Sequence, residues 1–122
     1  MYVHLVLVTK YRRKVLTKPM LDRCSEILRD TCETWGCELV ECNGEDSHVH
    51  ALIEVLPKLR PSDVVNNLKT VTSRRLRSEF AELRKAFGKK AVLWSPSYCM
   101  ITAGGAPLEI LKRYIQNQSE PA

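Results

Sequence analysis

Residues 37–56, CELVECNGEDSHVHALIEVL, hold two apolar stretches of strand length on either side of Gly44-Glu45-Asp46-Ser47, a connection rich in turn-forming residues. The pattern predicts a hairpin of strands 37–43 and 48–56. Its second arm, HVHALIEV, alternates too weakly for an exposed edge and is expected to be mostly buried, with Pro57 ending it. Upstream, VHLVLVTKY (3–11) is rich in β-branched residues and predicts a strand that leaves the core at Lys10. Thr17 with Pro19 then marks a helix start, and Leu21, Cys24, Leu28 and Trp35 recur at helical spacing until Gly36, which predicts a helix over 18–35. Downstream, Pro61-Ser62-Asp63 opens a long helix whose apolar stripe runs through Val64, Leu68, Val71, Leu76, Phe80, Leu83 and Phe87 up to Gly88. VLWSPSYCMIT (92–102), interrupted by Pro96, fits a last strand with a bulge or an edge position. Gly104-Gly105 forms a flexible joint, and Pro107 begins a short helix to about residue 118.

Strand, helix, strand, strand, helix, strand is the α+β order of a ferredoxin-like βαββαβ sandwich. It places a four-stranded antiparallel sheet under two helices on one face, with an appended C-terminal helix. No internal repeat and no dividing linker interrupts it, so residues 1–122 are expected to form one domain.

At 44% apolar and 27% charged, the composition is that of an ordinary globular chain. The net charge of +5 is unevenly spread. Residues 22–54 hold nine acidic and two basic side chains, a local −7, which leaves seventeen basic and five acidic side chains, +12, for the rest. That division points to a polyanionic partner for one surface only. No apolar run spans a membrane, and the first residues resemble a strand more than a signal peptide, so a cytosolic protein is expected. The five cysteines form no C-x-x-C pair and are expected to be reduced packing residues.

His48-Val49-His50 is the most informative local feature. Residues i and i+2 of a strand share a face, so both imidazoles can converge on one metal ion while Val49 packs on the other side. Neutral imidazole suits borderline metals such as Mn²⁺. An imidazole binds metal only when neutral, which on the ordinary histidine value predicts loss of binding as pH falls through about 6.5. An isolated H-x-H is more often two histidines on a solvated face. In the last helix, Tyr114 and Gln118 lie four residues apart and therefore on one side. A phenol is a weak nucleophile at its free pKa of about 10 and needs a metal-polarised electrophile or a nearby base. An amphipathic terminal helix with a surface tyrosine is the plain alternative. The basic runs Lys10, Arg12, Arg13, Lys14 and Arg74, Arg75, Arg77 are the best phosphate-contact candidates, and Tyr11 is placed to stack on a base.

VTKYRRKVL (8–16), DSHVHALIEV (46–55), LKTVTSRRLRSEF (68–80), LWS (93–95) and LKRYIQNQ (111–118), in this order over nearly the whole chain, resemble the single-tyrosine HUH transposases of small bacterial and archaeal insertion sequences, the IS-two-hundred-like TnpA type. The resemblance implies His48 and His50 as metal ligands with Gln118 as the third, a divalent Mg²⁺ or Mn²⁺ ion, and Tyr114 as the nucleophile. It implies nicking and rejoining of single-stranded DNA at element ends through a 5′-phosphotyrosine link, with DNA hairpins as the recognised partners. It also implies a homodimer in which the tyrosine helix can be exchanged between subunits about Gly104-Gly105. Members commonly read D-H-V-H, whereas here Ser47 separates Asp46 from His48. Two other functions share these features: a domesticated relative that nicks genomic repeats, and a non-catalytic ferredoxin-like nucleic-acid-binding module.

Overall fold

The computed structural model describes residues 1–96, 98–102 and 113. Four antiparallel strands, β1 (Tyr2–Val8), β2 (Glu38–Glu45), β3 (His48–Glu54) and β4 (Cys99–Thr102), form one sheet in the order β2-β3-β1-β4. Helices α1 (Lys18–Thr34) and α2 (Pro61–Glu79) connect β1 to β2 and lead from β3 toward β4, with a short α3 (Ala81–Ala86) after α2. This is the expected ferredoxin-like sandwich. In β1 and β3 the alternation assigns each side chain to a face. Val3, Leu5 and Leu7 of β1 and Val49, Ala51 and Ile53 of β3 are buried in one core with Met20, Cys24, Ile27 and Leu28 of α1 and Val64, Val65, Leu68 and Leu76 of α2. Each valine, leucine, isoleucine and methionine among them contributes about 1.5–3 kcal/mol through burial.

α1 begins as expected. Thr17 is extended, its Oγ1 accepts from the Met20 backbone N–H, and Pro19 occupies the first turn. It ends at Thr34, and Gly36 at φ +74° supplies the left-handed turn into β2. β2 runs to Glu45, two residues beyond the expected boundary, because the connection is only Asp46-Ser47, with Glu45 paired to His48. The backbone of this tight turn is fixed from outside: Asp46 O accepts from Leu16 N and Ser47 O from Thr9 N, both at 2.9 Å. At Gly44 a Cβ would lie 2.8 Å from His48 O and 2.9 Å from Leu21 Cδ2, so the bare backbone is what lets α1 seat against the hairpin.

Two expected elements are divided. The long helix breaks at Phe80 (φ −122°, ψ 105°), after which α3 returns Leu83 to the core. The Arg84 guanidinium donates to the backbone oxygens of Arg77 and Ser78 at 2.5 and 3.1 Å, satisfying carbonyls that the broken helix leaves open. The last strand is split into a bridge between Trp94 and Thr9 and the short β4, with Pro96, which has no N–H to donate, between them. The predicted helix 107–118, with Tyr114 and Gln118, and the Gly104-Gly105 joint lie outside the described residues. Of that segment only Arg113 is described, as helical and exposed.

The segment before β4 is tied to α2 by a buried polar chain. Trp94 Nε1 donates to Thr72 Oγ1 at 2.9 Å, and Thr72 Oγ1 donates to Leu68 O at 2.8 Å. Thr72→Val keeps the shape but strands the indole N–H, and is expected to cost about 1–3 kcal/mol in urea unfolding. A variant as stable as the parent would contradict this role for Thr72.

Candidate functional site: paired imidazoles beside basic surfaces

β3 carries the two histidines where the sequence places them. Val49 is buried in the core toward the helices, while His48 and His50 lie on the opposite face at 1% and 0% exposure. Their ring centroids are 4.8 Å apart at 88°, edge to face. Both ring nitrogens of His48 and the Nε2 of His50 are buried without a hydrogen-bond partner among the described residues. Buried polar atoms left this way are costly, which makes them ligand positions in waiting. Burial, with His48 and then His4 nearby, pushes the His50 imidazole down to about 4, so it stays neutral well below the ordinary histidine range. The expected loss near pH 6.5 therefore does not apply to His50.

Neutral imidazole nitrogens with free lone pairs are the donor set that divalent Mn²⁺ or Mg²⁺ would use here, Mn²⁺ the better matched. Among the described residues no group of three His, Cys, Asp or Glu side chains is arranged to hold a metal ion. Were a metal ion held here, a third ligand would come from another residue type or from outside the described residues. Tyr114 and Gln118, the expected nucleophile and third ligand, lie outside the described residues. Asp46 sits in the turn before His48, where its described role is through its backbone oxygen.

Sequence reasoning missed a third imidazole on this face. His4, on β1, has its Nε2 3.2 Å from His50 Nδ1, and the two rings stack at 27° with centroids 5.4 Å apart. The available signal was alternation: antiparallel pairing of the first and third strands with Val6 opposite His50 puts His4 on the histidine face.

The basic candidates separate into two surfaces. Lys10, Tyr11 and Arg12 form a one-turn segment directly after β1, with Tyr11 and Arg12 in the left-handed region (φ 63° and 54°), a conformation costly for non-glycine residues. It leaves Tyr11 61% exposed. Lys10 Nζ, the Arg13 guanidinium and Lys90 Nζ stand 5.5, 5.2 and 5.8 Å from the Tyr11 ring centre. The Lys90 hydrogen bond, then the charges of Lys90, Lys10 and Arg13, lower the Tyr11 phenol below its usual value. Arg13 is steadied by the Ala86 backbone oxygen and the Phe87 ring, and Lys14 is exposed. Arg74 and Arg77 line a groove of about 480 Å³ with Asn66, Lys69, Ser73 and Trp94. Arg75 instead turns to Glu79, which also pairs with Arg23 of α1. Lys69, absent from the expected set, belongs to the groove: its Nζ donates to Pro96 O at 2.7 Å.

The four cysteines whose side chains are described behave as expected. Cys24, Cys32 and Cys37 are buried free thiols and Cys42 is half-buried, with burial raising Cys32 to about 12 and Cys42 to about 11. No helix among the described residues is long and apolar enough to cross a membrane.

The family model described as "Transposase IS200 like" matches residues 1–118. The chain is 32% identical over 118 residues to the ISDra2 transposase TnpA of Deinococcus radiodurans, covering 96% of this chain and 83% of that protein. It is 29% identical over 117 residues to the transposase for insertion sequence element IS200 of Salmonella typhimurium, covering 96% and 76%. Among solved structures, a protein from Deinococcus radiodurans R1 named as a transposase superimposes with a TM-score of 0.77 at 34% identity, covering 99% of this chain and 92% of that one. A REP-associated tyrosine transposase bound to a REP hairpin shares the fold, with a TM-score of 0.60 at 10% identity over 93% of this chain and 61% of that one. Sequence and fold thus agree, and the chain belongs to the IS200-like transposases, a family of enzymes that cleave and transfer DNA strands in transposition.

Proposed function

We propose that this chain nicks and rejoins single-stranded DNA at the ends of an insertion sequence, with Tyr114 as nucleophile and His48, His50 and Gln118 as ligands of a divalent ion. The observation that supports this most is the set of three buried imidazole nitrogens on the sheet face away from the helices, without partners among the described residues. When bound, Mn²⁺ or Mg²⁺ supplies Lewis-acid polarisation of the scissile phosphate.

The chain's own residues do the rest. His48 and His50 are held on a central strand by the core on its other face, so they present lone pairs without moving. The Tyr114 oxygen attacks phosphorus as the P–O3′ bond breaks, and the phenolic proton passes, net, to the leaving O3′, giving a 3′-hydroxyl on one strand and a 5′-phosphotyrosine on the other. The bond energy is kept in that ester, so a 3′-hydroxyl at a new junction reverses the step without a nucleotide cofactor. Lys69, Arg74 and Arg77 in the α2 groove, with Arg75 at its flank and Lys10, Arg12, Arg13 and Lys14 after β1, take DNA phosphates, while Tyr11 stacks on an unpaired base. Hairpin ends, which combine paired and unpaired nucleotides, match this mixture. A homodimer with the tyrosine helix exchanged about Gly104-Gly105 is the assembly the family resemblance supports. The 32% identity to an insertion-sequence transposase favours element transposition over repeat processing.

Tyr114→Phe is expected to keep hairpin binding and to abolish the covalent protein–DNA adduct formed with Mn²⁺ and single-stranded DNA from the gene's flanks. An adduct surviving on a denaturing gel would sink the nucleophile assignment. Gln118→Ala is expected to raise the Mn²⁺ concentration needed for cleavage by about tenfold or more while sparing hairpin binding. An unchanged metal titration would refute the ligand role. The metal-free protein should also show a pH-dependent stability. The unfolded chain protonates His50 near 6.5 and the folded chain resists to about 4, so between these values the folded state binds fewer protons. Stability is therefore complete above about 6.5 and falls toward about 4, and a thermal midpoint unchanged across that window would contradict the buried neutral imidazole.

A further inference from the structure

His4 reaches the metal face from a different strand. In the β1–β3 register it opposes Leu52, one diagonal step from His50, and it is 6% exposed. Its Nε2 contacts His50 Nδ1 at 3.2 Å, a distance between ring nitrogens that places one proton between them. A neutral imidazole has two tautomers of equal charge, and the hydrogen bond at one nitrogen decides where the lone pair of the other lies.

Two arrangements are open to the pair. If His4 donates, His50 carries its own proton on Nε2, a buried N–H without a partner among the described residues and with no lone pair for a metal. If His50 donates from Nδ1, its Nε2 keeps the lone pair and becomes a ligand atom. Metal-binding histidines give their second N–H to an acceptor that fixes ring and tautomer, and the acceptor here is an imidazole. His48 has no such anchor among the described residues, since both its nitrogens lack partners there. The two ligands are thus held unequally.

We infer that His4 is a positioning residue that accepts the Nδ1 proton of His50 and so turns His50 Nε2, with its lone pair, toward the metal ion. This rests on the metal-dependent reading proposed above. A neutral acceptor in this place adds no negative charge where a DNA phosphate has to approach.

Long-range ¹H–¹⁵N NMR of the metal-free full chain tests the tautomer directly, and Mn²⁺ titration followed by electron paramagnetic resonance tests its consequence. Wild-type His50 is expected as the Nδ1–H tautomer. His4→Leu is expected to weaken Mn²⁺ binding by about tenfold or more, and His4→Gln, whose amide oxygen reaches the place of Nε2, to recover most of it. His50 protonated on Nε2, or a folded His4→Leu chain that binds Mn²⁺ like the parent, would overturn the inference. Should His4→Leu fail to fold, the wild-type tautomer and the His4→Gln titration decide it. His48→Ala separates the two levels: Mn²⁺ affinity unaffected there too would contradict the metal site itself, whereas loss in His48→Ala beside full binding in His4→Leu removes only the role of His4.

Discussion

Strands β1 and β3 pair antiparallel with Val6 opposite His50 and Val8 opposite His48, and this one register decides both what the core contains and what the site contains. With a period of two, the same pairing that sends Val49, Ala51 and Ile53 toward the helices sends His48 and His50 the other way. A slip of one residue would bring both imidazoles into the hydrocarbon core and turn three aliphatic side chains out, so the register is strongly specified by burial alone. His4 joins the histidines through the same constraint, from the neighbouring strand. Core burial and the placement of the imidazoles are thus two faces of one pairing. The tight Asp46-Ser47 turn, fixed by Leu16 and Thr9, sets the end of that register next to His48.

The charge division along the chain acquires a spatial sense. α1, which begins the acidic stretch, packs on the sheet face opposite the histidines. The basic side chains are on the Tyr11 turn after β1 and in the groove between α2, which packs on the same sheet face as α1, and residues 91–94. Half-buried Arg23 holds Glu79 through two hydrogen bonds, Nε to Oε1 at 2.6 Å and Nη2 to Oε2 at 3.2 Å. Glu79 also lies 4.0 Å from Arg75 Nε, while Arg74 and Arg77 line the groove.

Much of this was legible in the residues. The helix start at Thr17-Pro19, the stop at Gly36, the hairpin and the interruption at Pro96 all follow from local chemistry, and the succession of elements along the chain follows from them. What local patterns do not contain is pairing between distant strands. His4 carries no local signal, because its partner His50 is 46 positions away in sequence. The break at Phe80 was hidden for a different reason. The stripe Leu76, Phe80, Leu83, Phe87 keeps helical spacing through it, and the compensation comes from Arg84 reaching back to open carbonyls, a tertiary contact without a sequence signature. Lys69 was overlooked because it is a single base between uncharged residues, while runs of arginine drew attention to themselves. Tyr114 and Gln118, to which the family resemblance gives the nucleophile and third-ligand roles, lie outside the described residues.

The central claim is that the buried imidazoles of β3 form one metal-binding centre. Crystals of the full chain grown with Mn²⁺ and measured at the manganese absorption edge test it most directly. The account predicts an anomalous peak in contact with a ring nitrogen of both His48 and His50. Saturating Mn²⁺ with no peak at these two side chains would contradict it.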